Sequence, residues 1–361
     1  MLFRSPGAQA GNISVNAAIN KVAGVEASLT LNAANAININ APITSNNSVL
    51  NLNLNGATAN VAATTMVPGT QQGTINLNFG TLDLGSTSTT LANGASLGFA
   101  RIEGSNAQLN IASNGQATLD VSVLGPGLTV NVPGSSTLVA TGGLGLTGST
   151  INLNGNNSTL RLLGAGVQSL YGPGEMSLTG SQGFVVGADT PLNFASESTF
   201  ITATGPAASL RIGPGVTVRQ SSTQGFGRIL NISNLSSNEG TLVMEGRNSM
   251  TVSGGSWTNT GALRATSGTL NINSSNWSNS GTGLIEAAGG TVNASSTPFT
   301  QSGTLKLSSN GQILLPASFT NNGTISGSGT LKLGDGTGAL TNQGTIAPGG
   351  VGSVGTLRFT G

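Results

Sequence analysis

The acid–base chemistry open to this 361-residue chain rests on eleven carboxylates: Asp83, Asp120, Asp189, Asp335, Glu26, Glu103, Glu175, Glu197, Glu239, Glu245 and Glu286. There is no His and no Cys. That removes the usual zinc ligands, Cys nucleophiles and Ser-His-Asp catalysis. Glycoside hydrolysis remains chemically open, because it needs two carboxylates across one bond. No two acids are close in sequence. Asp83 and Glu103, however, have a sequence spacing of 20, and Glu175 and Glu197 one of 22. Such pairs meet only if the chain returns on itself at that interval, in which case mutual repulsion would raise the pKa of one member. Eleven acids spread over a periodic chain produce some pairs of this kind by chance, so no catalytic site is expected. Gly334-Asp335-Gly336 is a lone fragment of the glycine-rich calcium repeat and reads as a turn, since no array accompanies it. Neither a metal nor a cofactor is expected.

The chain does return at that interval. From Asn238 onward, Asn or Gln, then any residue, then Gly recurs at Gly240, Gly261, Gly281, Gly303, Gly323 and Gly344, with spacings of 21, 20, 22, 20 and 21. A bulky residue precedes five of these glycines: Trp257, Trp277, Phe299, Phe319 and Leu340. A unit this short cannot bury its own core, so copies must stack. Period-2 alternation runs through the chain, as in Ile37-Asn38-Ile39, Leu50-Asn51-Leu52-Asn53-Leu54 and Ile151-Asn152-Leu153. Alternate side chains of a strand face opposite ways. Helical periodicity is missing. The expected fold is all-β: a single-stranded parallel β-solenoid of about 21 residues per coil, each strand about 4.8 Å above its equivalent. Residues 1–230 read as irregular coils and 231–361 as regular ones of one continuous solenoid.

Repetition at one coil position makes the bulky series either a core ladder or a carbohydrate-stacking stripe on the surface. The Thr or Ser that follows each aromatic suits the outer face, so the core ladder is expected. The turn asparagines (Asn238, Asn259, Asn279, Asn321 or Asn322, Asn342) read as turn formers and stacked amides rather than glycan sites, because Asn tolerates left-handed backbone and bonds its own turn. Gly125-Pro126-Gly127, Gly172-Pro173-Gly174 and Gly213-Pro214-Gly215 suit type II corners, with Gly at positive φ after Pro. A phosphate loop is excluded, since no Gly-Lys-Ser or Gly-Lys-Thr follows. An ice-binding solenoid needs flat regular rows of Thr, and Thr87, Thr89, Thr202 and Thr204 form none.

Only 6% of residues are charged and the net charge is +1, with Arg and Lys scattered singly. Charge-driven binding of nucleic acid or anionic membrane is not expected. No run approaches the ~18 apolar residues of a membrane helix. Met1-Leu2-Phe3-Arg4-Ser5-Pro6 lacks the apolar stretch of a signal peptide. Neither end reads as capped, which is the pattern of a piece of a longer rod or of ends covered by a partner.

Residues 11–54 carry Gly-Asn-Ile-Ser-Val-Asn-Ala-Ala-Ile, Ala36-Ile37-Asn38-Ile39-Asn40-Ala41-Pro42-Ile43 and a run of Leu-Asn pairs. This segment resembles the filamentous-haemagglutinin-type exoproteins of bacterial two-partner secretion. Gly344-Thr345-Ile346-Ala347-Pro348-Gly349, followed by Gly355-Thr356-Leu357, is similar to a repeat of autotransporter passengers. The resemblance implies a right-handed parallel β-helix, export through an outer-membrane transporter, and a non-enzymatic stalk or adhesin at the bacterial cell surface or outside it. A host-surface or matrix glycan or protein is then the implied partner. The alternative is a carbohydrate-active enzyme, a polysaccharide lyase or hydrolase, on the same fold.

Overall fold

The computed structural model describes residues 2–4, 11–22, 27–41, 43–45, 50–61, 66–67, 75–84, 86, 88–91, 93–94, 96–141, 143–154, 157–163, 167–178, 182–187, 209–221, 229–295, 299–350 and 352–361. Thr87, Asp189, Glu26, Glu197, Thr202 and Thr204 fall outside them, as does the side chain of Thr89. Among the described residues there are strands and turns but no helix. Every described strand pairing is parallel, which short loops between hairpin strands could not produce. The chain is a parallel β-solenoid of stacked coils of about 21 residues.

Alternation in the sequence becomes alternation of burial. In Leu128–Val132 the three aliphatic residues are buried while Thr129 and Asn131 are half-buried. Ser209–Ile212 and Thr269–Asn279 repeat the pattern. The polar residues between the aliphatic ones are therefore spacers on the outer face, and each pair of residues contributes one side chain to the core.

The chain forms two compact units: Met1–Leu163 with Pro173–Glu175, and Gly164–Gly172 with Met176–Gly361. This division by contacts lies apart from the change in repeat regularity near residue 230, which is a matter of spacing. In the first unit, Ile13 is in register with Ile37 and Ile37 with Ala59, so the coil interval is 24 and then 22. Farther along, Leu109, Val130 and Ile151 stack at intervals of 21 and are fully buried. In the second unit, Leu242, Leu263, Ile285, Leu305 and Ile325 form one fully buried column that continues to Ile346. Burying each Leu or Ile contributes about 1.5–3 kcal/mol. In a stack, that contribution depends on the coils above and below.

Two Gly-Pro-Gly corners match the expectation: Gly127 and Gly215, each following Pro, have φ of +71° and +79°. The third differs, because Gly172, with φ +88°, precedes Pro173. The positive φ falls there two residues earlier than the sequence motif suggests. Gly334-Asp335-Gly336 is a turn, with Asp335 Oδ1 accepting from the N–H and Oγ1 of Thr337 at 3.2 and 2.7 Å.

Candidate functional site

The repeat residues converge on two adjacent columns in the second unit. Trp257 is in register with Trp277, and Trp277 with Phe299. Their rings stack, with centroids 5.1 Å apart at 12° for the first pair and 4.1 Å at 13° for the second. Phe299 and Phe319 follow at 5.3 Å with a tilt of 43°. Phe319 is in register with Leu340. Trp257, Trp277 and Phe319 are 3%, 2% and 3% exposed, while Phe299 and Leu340 are half-buried. The series is an interior ladder, and the Thr and Ser beside it look outward. Thr258, Ser278, Thr300, Thr320 and Thr341 form the outer column, of which Thr300, Thr320 and Thr341 are exposed. Trp257 Nε1 donates to Ser274 Oγ at 2.7 Å, so its one polar atom is satisfied inside.

Two residues after each aromatic, on the same face of the strand, lies an amide. Asn238 Nδ2 donates to Asn259 Oδ1 at 2.7 Å, Asn259 to Asn279 at 2.7 Å, and Asn279 to Gln301 Oε1 at 2.9 Å. Asn321 donates to Asn342 at 2.8 Å. Asn238, Asn259, Asn279, Gln301 and Asn321 are fully buried. The column resolves to Asn321, while Asn322 is exposed. These asparagines do not carry the left-handed backbone expected of turn formers. Positive φ falls instead on Asn106, Asn114, Asn157, Asn234 and Asn310. A buried amide in a strand must find partners inside the protein; the neighbouring coil supplies them from Asn238 to Gln301 and again from Asn321 to Asn342, while Gln301 Nε2 donates to Gly303 O.

The repeat glycines close this column. Asn259, Gln301 and Asn321 each donate to the carbonyl of the Gly two residues on, at 3.3, 2.8 and 3.2 Å. A Cβ on Gly261, Gly323 or Gly344 would overlap the carbonyl oxygen of the equivalent Gly one coil back. Gly281 is the exception and requires a correction. A Cβ there meets nothing, and Asn279 donates instead to Gly283 O at 3.2 Å. Gly283 is the equivalent residue, since Leu284 follows it in register with Ala262 and Thr304. Ser280-Gly281-Thr282 is a local bulge that the Asn-x-Gly motif conceals.

The carboxylates are engaged elsewhere. Glu103 is in register with Asp83, as the spacing of 20 implies. The Glu103 carboxylate pairs with Arg101 in its own strand. In the second unit, Arg211 grips Glu239 through two bonds of 2.6 and 2.5 Å. That hydrogen bond outweighs burial and holds the Glu239 carboxyl below its ordinary value. Arg219 pairs with Glu245. Arg264, Glu286 and Lys306 occupy one column on three successive coils, with Glu286 Oε2 2.7 Å from Arg264 and Oε1 3.0 Å from Lys306. Burial pushes the Glu286 carboxyl up, but the hydrogen bonds and charges of Lys306 and Arg264 together hold it below its ordinary value. Reading the cations as scattered missed this triad. Its spacings, 22 and 20, are those of the coils it spans. Among the described residues, no group of three or more His, Cys, Asp or Glu is placed to hold a metal ion.

Comparison with family models, with curated proteins and with solved structures found no match.

Proposed function

We propose that the chain is a non-enzymatic structural stalk or adhesin segment of a secreted bacterial surface protein, exported through an outer-membrane transporter and acting at the cell surface or beyond it. The observation that carries this reading is the pair of adjacent interior ladders, aromatic and amide, from Asn238 to Asn321. Repeated at each coil, such ladders spend the large side chains and the recurring amides on coil-to-coil cohesion. They leave an outer face of Ser, Thr and Asn, suited to display and contact. The resemblance of residues 11–54 to haemagglutinin-type exoproteins points the same way.

Two measurements test it. Antibody labelling of intact source cells should detect the chain, and beads coated with it should adhere to host-matrix or glycan-coated surfaces above the level of a scrambled-surface control. A polysaccharide panel supplies the opposing assay. Release of reducing or unsaturated ends, proportional to protein concentration and lost on Asp83→Asn or Glu103→Gln, would replace the stalk reading with the enzymatic one.

A further inference from the structure

On the outer face of the first unit, amides are joined into a continuous file. Asn110 Nδ2 donates to Ser88 Oγ at 2.9 Å, Asn131 to Asn110 Oδ1 at 2.8 Å and Asn152 to Asn131 Oδ1 at 3.2 Å. An amide has two N–H donors and two oxygen lone pairs. Among the described residues, Asn110 and Asn131 each use one donor and one lone pair on the file. The second donor and second lone pair of each remain available, held in one orientation from coil to coil. The outer pair Asn271 and Asn293 makes no such file, because the next coil places Leu314 at that position.

A groove of about 360 Å³ runs beside this file, within the size range of ligand sites. Thr90, Asn110 and Asn131 form one wall, in register on successive coils. Ala112, Pro133 and Asn154, each two residues beyond an amide of the file, form the other. Ala112 N–H donates to Leu91 O at 2.9 Å and Asn154 N–H to Val132 O at 3.1 Å, which ties that wall to the coil before it. The chain then turns away at a recurring place, through Asn114, Ser135 and Asn157 at φ of +55°, +55° and +58°. The repeated corner keeps the groove open across successive coils, at about 4.8 Å per coil. No charged or aromatic side chain lines it. Every lining residue belongs to the first unit, with paired strands both before and after them in the chain.

We propose that this groove binds a neutral, extended β-linked glycan chain laid along the stacking direction. The uncharged lining offers no counter-group to a nucleic acid or an acidic sugar. Without aromatic walls it lacks what proline-rich peptides dock against. Sugar hydroxyls donate and accept at once, and the half-used amides of Asn110 and Asn131 do the same. Because the file already fixes those amides, binding costs them little rotamer freedom. Thr90, Ser113 and Asn154 are exposed and add further polar groups along the groove. Ala112 and Pro133 give an apolar strip for the C–H faces of the rings. An extended β-linked chain advances per ring by nearly the rise of one coil, about 4.8 Å, so successive rings meet equivalent groups. The proposal deepens the adhesin reading by naming a site and a ligand class, and rests on that reading for the groove's role in adhesion.

The test is calorimetric titration of the full chain with cellopentaose, with maltopentaose, whose α-linked chain coils, and with glucose. Cellopentaose should bind. Maltopentaose should bind about tenfold more weakly or worse, the loss expected when buried polar partners go unmatched, and glucose more weakly still. Asn131→Leu removes the central amide, and Ala112→Leu fills the opposite wall while leaving the file intact. Each should weaken cellopentaose binding by about tenfold or more. Asn154→Ala, at an exposed position, disturbs the fold least and should weaken it by about threefold. Unchanged thermal unfolding confirms that a variant folds. Equal affinity for the α- and β-linked chains, glucose binding as tightly as cellopentaose, wild-type affinity in the folded variants, or no binding of cellopentaose would each overturn the proposal. Bead adhesion keeps the two readings apart. Beads that adhere while cellopentaose does not bind remove the groove and leave the adhesin reading. Beads that adhere to no surface while cellopentaose binds remove the adhesin reading and leave the groove as a glycan site.

Discussion

Both compact units stack asparagines at coil intervals on the outer face, as Asn293 on Asn271 does in the second, and the second unit stacks a further column of them inside. In the first, Asn110 donates to Ser88 at 2.9 Å, Asn131 to Asn110 at 2.8 Å and Asn152 to Asn131 at 3.2 Å, all on the half-buried outer face beside the buried Leu109, Val130 and Ile151. In the second, Asn238, Asn259 and Asn279 are wholly inside, next to the tryptophans. The outer amides exchange one good partner for another, since water would serve them nearly as well. The inner ones have only each other and nearby backbone carbonyls. The same residue at the same period is thus a modest contributor on one face and indispensable on the other. What decides is its parity relative to the aliphatic positions of its strand.

The largest effect that would sharpen this contrast is removal of a ring from the middle of the aromatic ladder. Trp277→Ala should cost about 3–5 kcal/mol, seen as lost hydrogen-exchange protection concentrated in residues 249–321 and little changed in residues 101–154. Uniform loss over both regions would show that the units do not respond separately. Next in size is the amide pair. Asn259→Ala removes the side-chain acceptor of Asn238 and the donor to Asn279 and the Gly261 carbonyl. It should cost about 2–3 kcal/mol, against less than about 1 kcal/mol for Asn131→Ala. Chemical denaturation of both variants checks this, and equal costs would break the inner–outer distinction.

A smaller effect separates two neighbouring glycines. Gly283→Ala forces a Cβ against Asn259 O and the Asn279 side chain and should cost about 1–3 kcal/mol. Gly281→Ala meets open space and should stay within about 0.5 kcal/mol of wild type. Reversal of that order would restore Gly281 as the repeat residue.

The smallest effect concerns pH. The Glu239 and Glu286 carboxyls sit below their ordinary value of 4.5 when folded. An unfolded chain then binds protons more readily than the folded one, so their contribution is full above about pH 4.5 and is lost as pH falls through the lower folded values. Hydrogen-exchange protection over residues 239–306, after correction for the intrinsic pH dependence of amide exchange, should therefore fall on acidification. Glu286→Gln should reduce that acid sensitivity while lowering protection at neutral pH.

Much of this molecule follows from local chemistry. Strand alternation at Leu128–Val132, stacking at an interval near 21 and the inward aromatic ladder all follow from period-2 geometry and from the inability of one coil to bury itself. The inward asparagines were legible too, being two positions beyond Trp257 and Trp277 on the same strand face. Other features depend on coil length and on what lies one turn away. Gly283 replaces Gly281 because a bulge absorbs residues before the strand resumes. Glu103 meets Asp83 in register, yet it is Arg101 that holds its carboxylate. Arg264, Glu286 and Lys306 look solitary in the chain and become one ion-paired column only when two successive coils bring them into register. A linear sequence specifies which way a side chain points. Which side chain it then meets is decided by the exact length of the intervening coil, because a slip of one residue exchanges the inner face for the outer.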